Sequence, residues 1–371
     1  MPTEIITKFK KAIADSNDHL KDLSVNGQKS LGYFCTYTPV ELIFAAGFIP
    51  VRITGGFGHV DNAYLHVPDF ICPYMKRALE KGLAGQYDFL AGLVQGYTCD
   101  AACGMVNIWK DTVGIDFFHS MPLPYNDTME SRTYFKSVLT ELIEKLKTIG
   151  GSYSESTLNN SLNLFSRIRT LQLDLYKQRY LRQSPFSAGE FLTIIEAGSV
   201  VPPEEYLLLL EELTEMTTEN QSVKKQGCPV LVSGSLVERP EVMDIIESCG
   251  GQIVADDLCN GLRQILPVDG IGDTPMDRLI HRYINRFPCP SRSRAINRVD
   301  WLADLMKRSN ARGAVFVVQK FCTPHLSDYP ILSEKLKEKG FPSILIEMDE
   351  SWQMEGQLKT RIEGFFEMIG D

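Results

Sequence analysis

The stretch Ala314–His325 reads AVFVVQKFCTPH. Its first five residues are apolar, and the run is bounded by Gly313 and Pro324, which is typical of a buried strand in a parallel sheet. Cys322 therefore follows the C-terminal end of the predicted strand, at the edge where open α/β sheets bind ligands. The stretch predicts an α/β fold with a thiol at a ligand-binding edge.

Strands and helices alternate in the first and last thirds of the chain. We predict strands at residues 30–36, 48–53, 89–95, 114–119, 229–233, 252–255, 315–319 and 343–347. Predicted helices cover residues 4–22, 39–46, 73–83, 130–149, 155–182, 187–198, 203–220 and 356–369. The pattern indicates two doubly wound parallel-sheet domains facing a cleft, residues 1–129 and 223–371, with an intervening helical segment of residues 130–222.

Composition limits the class of protein. The 371 residues carry a formal charge of −9 and a pI near 5.3, which argues against nucleic acid or an anionic membrane as the main partner. No stretch approaches the roughly 20 apolar residues that span a bilayer. The N-terminus lacks the basic and apolar regions of a signal peptide. We therefore expect a cytoplasmic protein.

The chain contains nine cysteines. Because the number is odd and no secretion signal is present, we do not expect a disulfide framework, and metal binding or simple burial are the alternatives. Neither the paired C-x-x-C pattern of zinc sites nor the closely spaced cysteines of bacterial ferredoxins occurs. If a metal is bound, its ligands come from distant parts of the sequence.

Five cysteines lie next to the end of a predicted strand or the start of a predicted helix. Those that directly follow predicted strands are Cys35, Cys99, Cys259 and Cys322, and Cys72 begins a helix. Two facing sheets would bring these residues into one cleft, where helix N-termini favour thiolates and the negative charge of an iron–sulfur cluster. Thiolates from several loops suit iron–sulfur clusters or zinc better than magnesium or calcium.

The remaining four cysteines have weaker signals. Cys228 and Cys249 are predicted to pack in the core. Cys103 lies four residues after Cys99 on the same helix face, so packing and a role beside the site are both open. Cys289 stands between two prolines and is compatible with either role.

Six short motifs around these cysteines occur in a fixed order. They are GYFCTYTPVEL (residues 32–42), CPY (72–74), TCD (98–100), ADDLC (255–259), KFCTPH (320–325) and TRIE (360–363). As an ordered set that spans nearly the whole chain, they resemble the 2-hydroxyacyl-CoA dehydratase and benzoyl-CoA reductase family.

The resemblance implies an oxygen-sensitive iron–sulfur subunit. By this similarity, Cys72, Cys99 and Cys322 hold a [4Fe–4S] cluster whose fourth iron is left to sulfur or to the thioester carbonyl of the substrate. It also implies a related second subunit, in a heterodimer or a homodimer, and a separate ATP-dependent activator that supplies single electrons. The sequence contains no G-x-x-x-x-G-K-[ST] phosphate loop, in keeping with a separate ATPase.

The resemblance leaves several reactions open. The leading interpretation is a 2-hydroxyacyl-CoA dehydratase, a lyase that reduces the acyl-CoA thioester by one electron to a ketyl radical and then loses water. The next interpretation is part of a benzoyl-CoA reductase. A double-cubane-type reductase of small molecules would use further cysteines, which Cys35, Cys259 and Cys289 match in part. The competing class is a non-redox two-domain binding protein with structural cysteines.

Two residues are candidates for catalysis. Cys35 is a candidate for contact with the cluster or substrate, and packing beneath the helix after Thr38 is the alternative. Glu41 is best explained by helix capping, because Thr38-Pro39-Val40-Glu41 has the form of a helix N-terminus, and a catalytic base is the second interpretation. His325 is a candidate hydrogen-bond donor to cluster or substrate, with solvation in a loop as the alternative.

A basic segment is the candidate site for the phosphates of coenzyme A. It contains Arg282, Arg286, Arg292, Arg294 and Arg298, of which Arg292 and Arg294 are the candidates that we single out. A solvated surface is the alternative for the whole segment. Lys320 either offsets the charge of a cluster or points to solvent, and Asp256 and Asp257 are assigned to capping the turn after their strand.

Overall fold

A computed structural model of the protein describes residues 2–218, 227–349 and 355–370. It contains two four-stranded sheets, and all neighbouring strands in both sheets are parallel. The first sheet consists of β1 (Ser30–Tyr33), β2 (Ile49–Arg52), β3 (Leu90–Gly96) and β4 (Phe118–Met121). The second consists of β5 (Cys228–Gly234), β6 (Gly251–Asp257), β7 (Gly313–Gln319) and β8 (Ser343–Met348). The predicted α/β fold with two parallel sheets is confirmed.

Helices surround both sheets. The N-terminal third contains α1 (Pro2–Ala14), α2 (Ser16–Val25), α3 (Val40–Ala45), α4 (Pro73–Leu83) and α5 (Asp100–Val113). The middle contains α6 (Met129–Thr148), α7 (Glu155–Tyr180), α8 (Ala188–Ala197) and α9 (Pro203–Thr218). The C-terminal third contains α10 (Glu241–Ser248), α11 (Leu262–Ile265), α12 (Pro275–Ile284), α13 (Ala295–Ser309), α14 (Thr323–Glu338) and α15 (Glu355–Gly370). None of these helices is both long and apolar enough to cross a membrane.

The two sheets share one strand order. It is β2-β1-β3-β4 in the first and β6-β5-β7-β8 in the second. In each sheet the second strand in sequence is added on one side of the first strand, and the third and fourth strands are added on the other side. The direction of strand addition therefore reverses between the first and third strands. Ligands of open α/β sheets bind in the crevice at this point, beyond the carboxyl ends of the strands. Cys35, Cys99 and Cys322 follow β1, β3 and β7, so all three lie at these crevices.

Each sheet has a hydrophobic core on both faces. Successive strand residues point to opposite faces. In β3, Leu93 and Val94 belong to different apolar clusters, and in β7 the same is true of Phe316 and Val317. Strands that are buried on both sides need apolar residues at nearly every position, which explains the uninterrupted runs in the sequence.

The helices of the predicted middle segment connect the two sheets. The longest, α7, has 26 residues and packs against α3 from the first part and against β6 and α12 from the last part. The helix-only character of this segment is confirmed. The boundary at residues 222 and 223, like the end of the predicted helix 203–220, lies outside the described residues, and the domain limits remain predictions.

Several local predictions differ from the structure. The strand predicted at residues 114–119 lies at Phe118–Met121, because Gly114 still caps the C-terminal end of α5 with a φ angle of 78°. The helix predicted at residues 4–22 is divided into α1 and α2 at Asp15. The predicted cap before α3 is also wrong: α3 begins at Val40 without a side-chain cap, and Thr38 Oγ1 instead accepts a hydrogen bond of 3.3 Å from the Gly96 amide. The Thr38 side chain therefore fastens this turn to β3 instead of closing the helix end.

Candidate metal centre

One cavity between the two sheets is lined by six of the nine cysteines. They are Cys35, Cys72, Cys99, Cys259, Cys289 and Cys322. All cysteines predicted to reach the cleft are in this set, and Cys289, for which the sequence left two roles open, is there as well. Cys103, Cys228 and Cys249 are not part of the cavity wall. Residues from distant parts of the chain thus bring their thiols to one place.

Three of these cysteines stand at the N-terminal ends of helices. Cys72 precedes α4, Cys99 precedes α5 and Cys322 precedes α14, each at the capping position. The Ala102 amide donates a hydrogen bond of 3.4 Å to Cys99 Sγ. A helix N-terminus carries partial positive charge and exposed amide donors, so each helix end offsets part of the cost that burial places on a thiolate.

The thiols of this group influence one another. Burial raises the pKa of Cys72 to about 11. Burial and the neighbouring Cys72 and Cys322 thiols raise the pKa of Cys99 well above its usual range. Burial, Cys72 and Cys259 likewise raise the pKa of Cys322. Cys72, Cys99 and Cys322 all line the same cavity, in keeping with these mutual effects on their pKa values.

Cys35, Cys259 and Cys289 line the same cavity. Burial raises the pKa of Cys259 to about 11, and the Cys289 and Cys35 thiols add to this effect while Arg263 opposes it. The Arg263 guanidinium donates through Nη1 to Cys259 Sγ at 3.5 Å. Cys35 follows β1, is half-buried and lines the cavity. It therefore does more than pack beneath the helix after Thr38, which was the alternative to contact with a cluster or substrate.

The sulfur donors that line the cavity are of the kind that hold iron–sulfur clusters. In the described part of the chain, no three His, Cys, Asp or Glu side chains are arranged to hold one metal ion. A cubane cluster binds each thiolate at a different iron, so its ligands stand further apart than the ligands of one zinc ion. Sulfur ligands from both sheets are the donors that iron–sulfur clusters use.

The structure corrects the prediction for His325. This residue lies in the first turn of α14, is 5% exposed and lines the cavity, so it is not a solvated loop histidine. Burial and the nearby Arg263 and Arg298 lower its pKa well below the usual range, which keeps the imidazole neutral. Its Nε2 lies 3.4 Å from Arg263 Nη1. Lys320, by contrast, is exposed and its ammonium lies 5.4 Å from the Phe321 ring centroid.

Glu41 lies outside the cavity and takes part in a buried ionic network. Arg282 Nε donates to Glu41 Oε1 at 3.0 Å, Arg169 also donates to this oxygen, and the Tyr283 hydroxyl donates to Oε2 at 2.7 Å. The capping interpretation of Glu41 is therefore wrong. Burial would raise its pKa, but the two guanidinium groups and the hydroxyl lower it to about 2. The geometry gives this carboxylate a structural role.

Three arginines of the basic segment, Arg282, Arg286 and Arg298, are buried, so the solvated-surface alternative does not hold for the segment as a whole. Arg282 is buried against Glu41, and Arg298 is buried against Asp257 and Asp328. Arg292 donates to the carbonyl oxygens of Tyr97 and Pro124 and stacks on the Tyr125 ring. Arg294 is exposed and occupies the N-cap position of α13 without a side-chain capping bond. Its contact with phosphate stays a prediction, as does that of Arg292.

Three arginines line the cavity, namely Arg52, Arg263 and Arg286. Arg286 belongs to the basic segment noted in the sequence, whereas Arg52 and Arg263 were not predicted to lie in the site. Arg52 ends β2 in a run of apolar strand residues, which is the signal that could have indicated it. The turn-capping assignment is confirmed for Asp256, whose Oδ1 accepts from the Leu262 amide at 3.0 Å. Asp257 instead pairs with Arg263 and Arg298.

Comparison with known proteins relates most of the chain to one family. The sequence model of the 2-hydroxyglutaryl-CoA dehydratase D-component family matches residues 35–369. The (R)-phenyllactyl-CoA dehydratase beta subunit of Clostridium sporogenes is 27% identical, with 97% of each chain covered. The lactoyl-CoA dehydratase subunit beta of Anaerotignum propionicum is 27% identical, with 98% of each chain covered. One of the subunits of benzoyl-CoA reductase from Thauera aromatica is 26% identical over 87% of this chain and 86% of its own.

Proposed function

The chain belongs to the 2-hydroxyglutaryl-CoA dehydratase D-component family, and we propose that it is the iron–sulfur subunit of an oxygen-sensitive 2-hydroxyacyl-CoA dehydratase. The observation that carries this proposal is the meeting of three helix-capping cysteines from both sheets in one cavity. Two of the relatives are subunits of enzymes that dehydrate 2-hydroxyacyl-CoA esters.

We assign Cys72, Cys99 and Cys322 as the ligands of a [4Fe–4S] cluster. When bound, such a cluster with one open iron supplies single electrons and Lewis acidity for reduction of an acyl-CoA thioester to a ketyl radical that loses water. The helix N-termini at the three cysteines stabilise the thiolates that bind iron. The donor set observed in the cavity fits this group.

The remaining wall of the cavity restricts water. Apolar side chains in the wall include Phe34, Met75, Leu236 and Phe287. A wall of this kind lowers the local dielectric constant, so the charges of nearby side chains act more strongly on a reacting carbonyl than they would in water. Neutral His325 and the Arg263 guanidinium hold each other in position at one side of this space.

A partner protein and an electron donor complete the proposal. Two relatives are beta subunits, and a third is one of the subunits of a benzoyl-CoA reductase, so we propose a related second subunit, in a heterodimer or a homodimer. Electrons would come from a separate ATP-dependent activator, because the sequence contains no phosphate loop for ATP. The cluster, the activator and the acyl-CoA substrate are parts of this proposal.

A second candidate function is favoured by one observation. Cys35, Cys259 and Cys289 line the same cavity as the first three cysteines. Six thiolates could hold two linked cubanes, as in a double-cubane-type reductase of small molecules. The two candidates differ in iron content, with about four irons per chain for one cubane and about eight for two. A benzoyl-CoA reductase subunit shares the first candidate's ligand set, and only a substrate assay separates the two.

Anoxic purification followed by iron and sulfide analysis tests the proposal. We expect Cys72→Ala, Cys99→Ala and Cys322→Ala each to lose the cluster, whereas Cys228→Ala and Cys249→Ala keep it. If Cys35→Ala, Cys259→Ala and Cys289→Ala each lose about half of the iron, the double-cubane candidate is supported. Equal iron content in all variants contradicts the ligand assignment.

Activity assays then identify the reaction. The loaded protein, with its activator, is tested against 2-hydroxyacyl-CoA and benzoyl-CoA substrates under anoxic conditions. Formation of the enoyl-CoA supports the dehydratase, and ring reduction supports the benzoyl-CoA reductase. A wild-type protein that stays colourless and iron-free after anoxic reconstitution would instead indicate a non-redox binding protein with structural cysteines.

A further inference from the structure

The buried arginines of the described residues form two groups. Eight arginines are buried. Six of them have a carboxylate oxygen within 3.4 Å, namely Arg77, Arg169, Arg179, Arg263, Arg282 and Arg298. Arg52 and Arg286 have no carboxylate at such a distance in the described part of the chain. Both line the cysteine cavity.

Arg52 has part of its guanidinium group without a hydrogen-bond partner. The residue is 3% exposed. Its Nε donates to the Phe34 carbonyl oxygen at 3.3 Å, whereas the buried Nη1 has no partner among the described residues. Cys259 and Cys35 are close enough to contribute to its electrostatic environment. Arg52 therefore brings a positive charge to the wall of the cysteine cavity and keeps one buried N–H donor without a partner.

Arg286 also has part of its guanidinium group without a hydrogen-bond partner. The residue follows α12 and is 8% exposed. Its Nη2 donates to the Arg263 carbonyl oxygen at 2.7 Å, and its Nη1 donates to the Thr36 carbonyl. The buried Nε has no partner in the described residues. The guanidinium carbon lies 5.2 Å from the centroid of the Tyr37 ring, which fixes the group against the loop that carries Cys35.

An unpaired buried charge is costly, and so is a buried N–H without an acceptor. Glu41 and Asp257 cannot supply the missing negative charge, because they already pair with other arginines. Glu196 also lies toward Arg52, but burial raises its pKa to about 8, so it is mostly neutral at pH 7. Two positive charges with unused donors at one cavity are explained if an anionic group occupies that cavity. Thiolates and inorganic sulfide make an iron–sulfur cluster such a group.

We propose that Arg52 and Arg286 form the cationic side of the cysteine cavity, where they balance the negative charge of the bound iron–sulfur group and donate N–H hydrogen bonds to it. This inference rests on the proposed function. The two arginines are positioning residues: they touch the group and tune its properties but do not bind iron. Hydrogen bonds to cluster sulfur and the local charge are both known determinants of the reduction potential.

The first test is the reduction potential of the loaded protein, measured by anoxic redox titration with electron paramagnetic resonance. We expect Arg52→Gln and Arg286→Gln to shift the midpoint to more negative values, because the reduced group loses a stabilising positive charge. Arg52→Lys keeps the charge and should lie closer to the wild type. The control is Lys320→Gln, which removes an exposed, solvent-screened charge beside Cys322 and should leave the midpoint unchanged.

The second test needs no activity and no titration of the cluster. Urea unfolding is compared for wild type and Arg52→Gln, each with the cluster and after removal of iron by a chelator. We expect Arg52→Gln to lower the unfolding midpoint more in the loaded protein than in the iron-free protein, because only the loaded protein gives Arg52 a partner. A purely structural Arg52 lowers both midpoints equally, and that result overturns the proposal.

Failure of the inference is distinguishable from failure of the proposed function. A wild-type protein without iron contradicts the proposed function itself. A loaded Arg52→Gln or Arg286→Gln variant with the wild-type midpoint contradicts only the inference. If Arg52→Gln takes up no iron, the Arg52→Lys variant is tested next. Iron uptake by the lysine variant supports a role for the positive charge. If the lysine variant also takes up no iron, although its iron-free form is as stable as the iron-free wild type, the proposed role of the charge is contradicted.

Discussion

Glu41 illustrates how a single carboxylate can hold three distant elements. Its oxygens accept from Arg169 in α7 and from Arg282 and Tyr283 in α12. Glu41 is fully buried in α3, the short helix just after the Cys35 loop. The network therefore fixes the segment that carries one of the cavity cysteines without entering the cavity.

Removal of the Glu41 charge should strongly destabilise the fold. Glu41→Gln leaves two buried guanidinium groups without a carboxylate, and breaking a buried ion pair in this way costs about 3–5 kcal/mol. The measurement is urea unfolding of the purified variant. The control is Glu144→Gln, which breaks an exposed ion pair with Lys147 and should change stability by no more than about 0.5 kcal/mol. Equal effects of both substitutions would contradict the role of the network.

The same carboxylate predicts a pH dependence of stability. The pKa of Glu41 falls from its ordinary value of 4.5 to about 2 in the folded protein. Because the folded value is the lower one, its contribution is fully present above pH 4.5 and is lost as the pH falls toward 2. We expect the difference in unfolding free energy between wild type and Glu41→Gln to be constant from pH 5 to 7 and to narrow below pH 4.5. A difference that stays constant down to pH 3 would contradict this assignment.

Sequence patterns predicted the position of a residue in the site only where neighbouring residues in the sequence determine that position. The places of Cys72, Cys99 and Cys322 follow from neighbouring strand and helix signals, so the sequence could indicate them. The roles of Glu41 and His325 could not be read locally, because their partners are far away: Arg169 lies 128 residues from Glu41. Arg52 was missed for the same reason, since a charged residue at a strand end has many possible partners.

At the scale of elements, the C-terminal end of β5 positions two residues of the cavity wall, Ser235 and Leu236. Gly234 pairs with Val317 of β7, and the following Ser235 amide donates to the Val317 carbonyl at 3.1 Å. The φ angle of Gly234 is 152°, and a Cβ atom there would overlap the Val317 carbonyl oxygen. Only glycine lets the two strands approach in this way, just before Ser235 and Leu236 enter the cavity wall.

Gly234→Ala should therefore separate β5 from β7. We expect a loss of about 1–3 kcal/mol in unfolding free energy from the steric overlap, together with weaker iron binding, because Cys322 follows β7. Unfolding and iron analysis measure the two effects. The control is Gly104→Ala in α5, where a Cβ atom meets nothing within 4 Å and a helical alanine should instead add about 0.5–1 kcal/mol. Similar behaviour of both variants would exclude a special role for Gly234.

The bounds of strands and long helices were predictable for a physical reason. A strand covered on both faces must be apolar at nearly every position, so β3, β5 and β7 stand out in the sequence. Helix α4 was predicted at residues 73–83, where Pro73 marks its start. The break between α1 and α2 was not predictable, because both helices continue one amphipathic pattern across Asp15. Short α11 has too few residues to show a period.

At the scale of the whole molecule, polar contacts join the two sheet-containing parts. Glu238 accepts hydrogen bonds from the amides of Gly55 and Gly56 at 2.6 and 3.0 Å and lies 3.4 Å from Arg77. On another side, the Tyr37 hydroxyl donates to the Phe287 carbonyl at 2.9 Å. The two parts are thus joined by polar contacts between residues far apart in sequence, of which Tyr37 and Phe287 line the cavity. No local pattern could reveal such contacts.

A group bound by cysteines of both parts should tighten this junction. Amide hydrogen exchange, compared between the loaded and the iron-free protein, reports this directly. We expect slower exchange in the loaded protein for residues 72–76 and 99–103 of the first part and for residues 322–326 of the second. Helix α6 (Met129–Thr148) is the internal control, because none of its residues lines the cavity. Protection confined to the first part would mean that Cys322 is not a ligand, whereas protection on both sides follows if the cluster joins the two sheets.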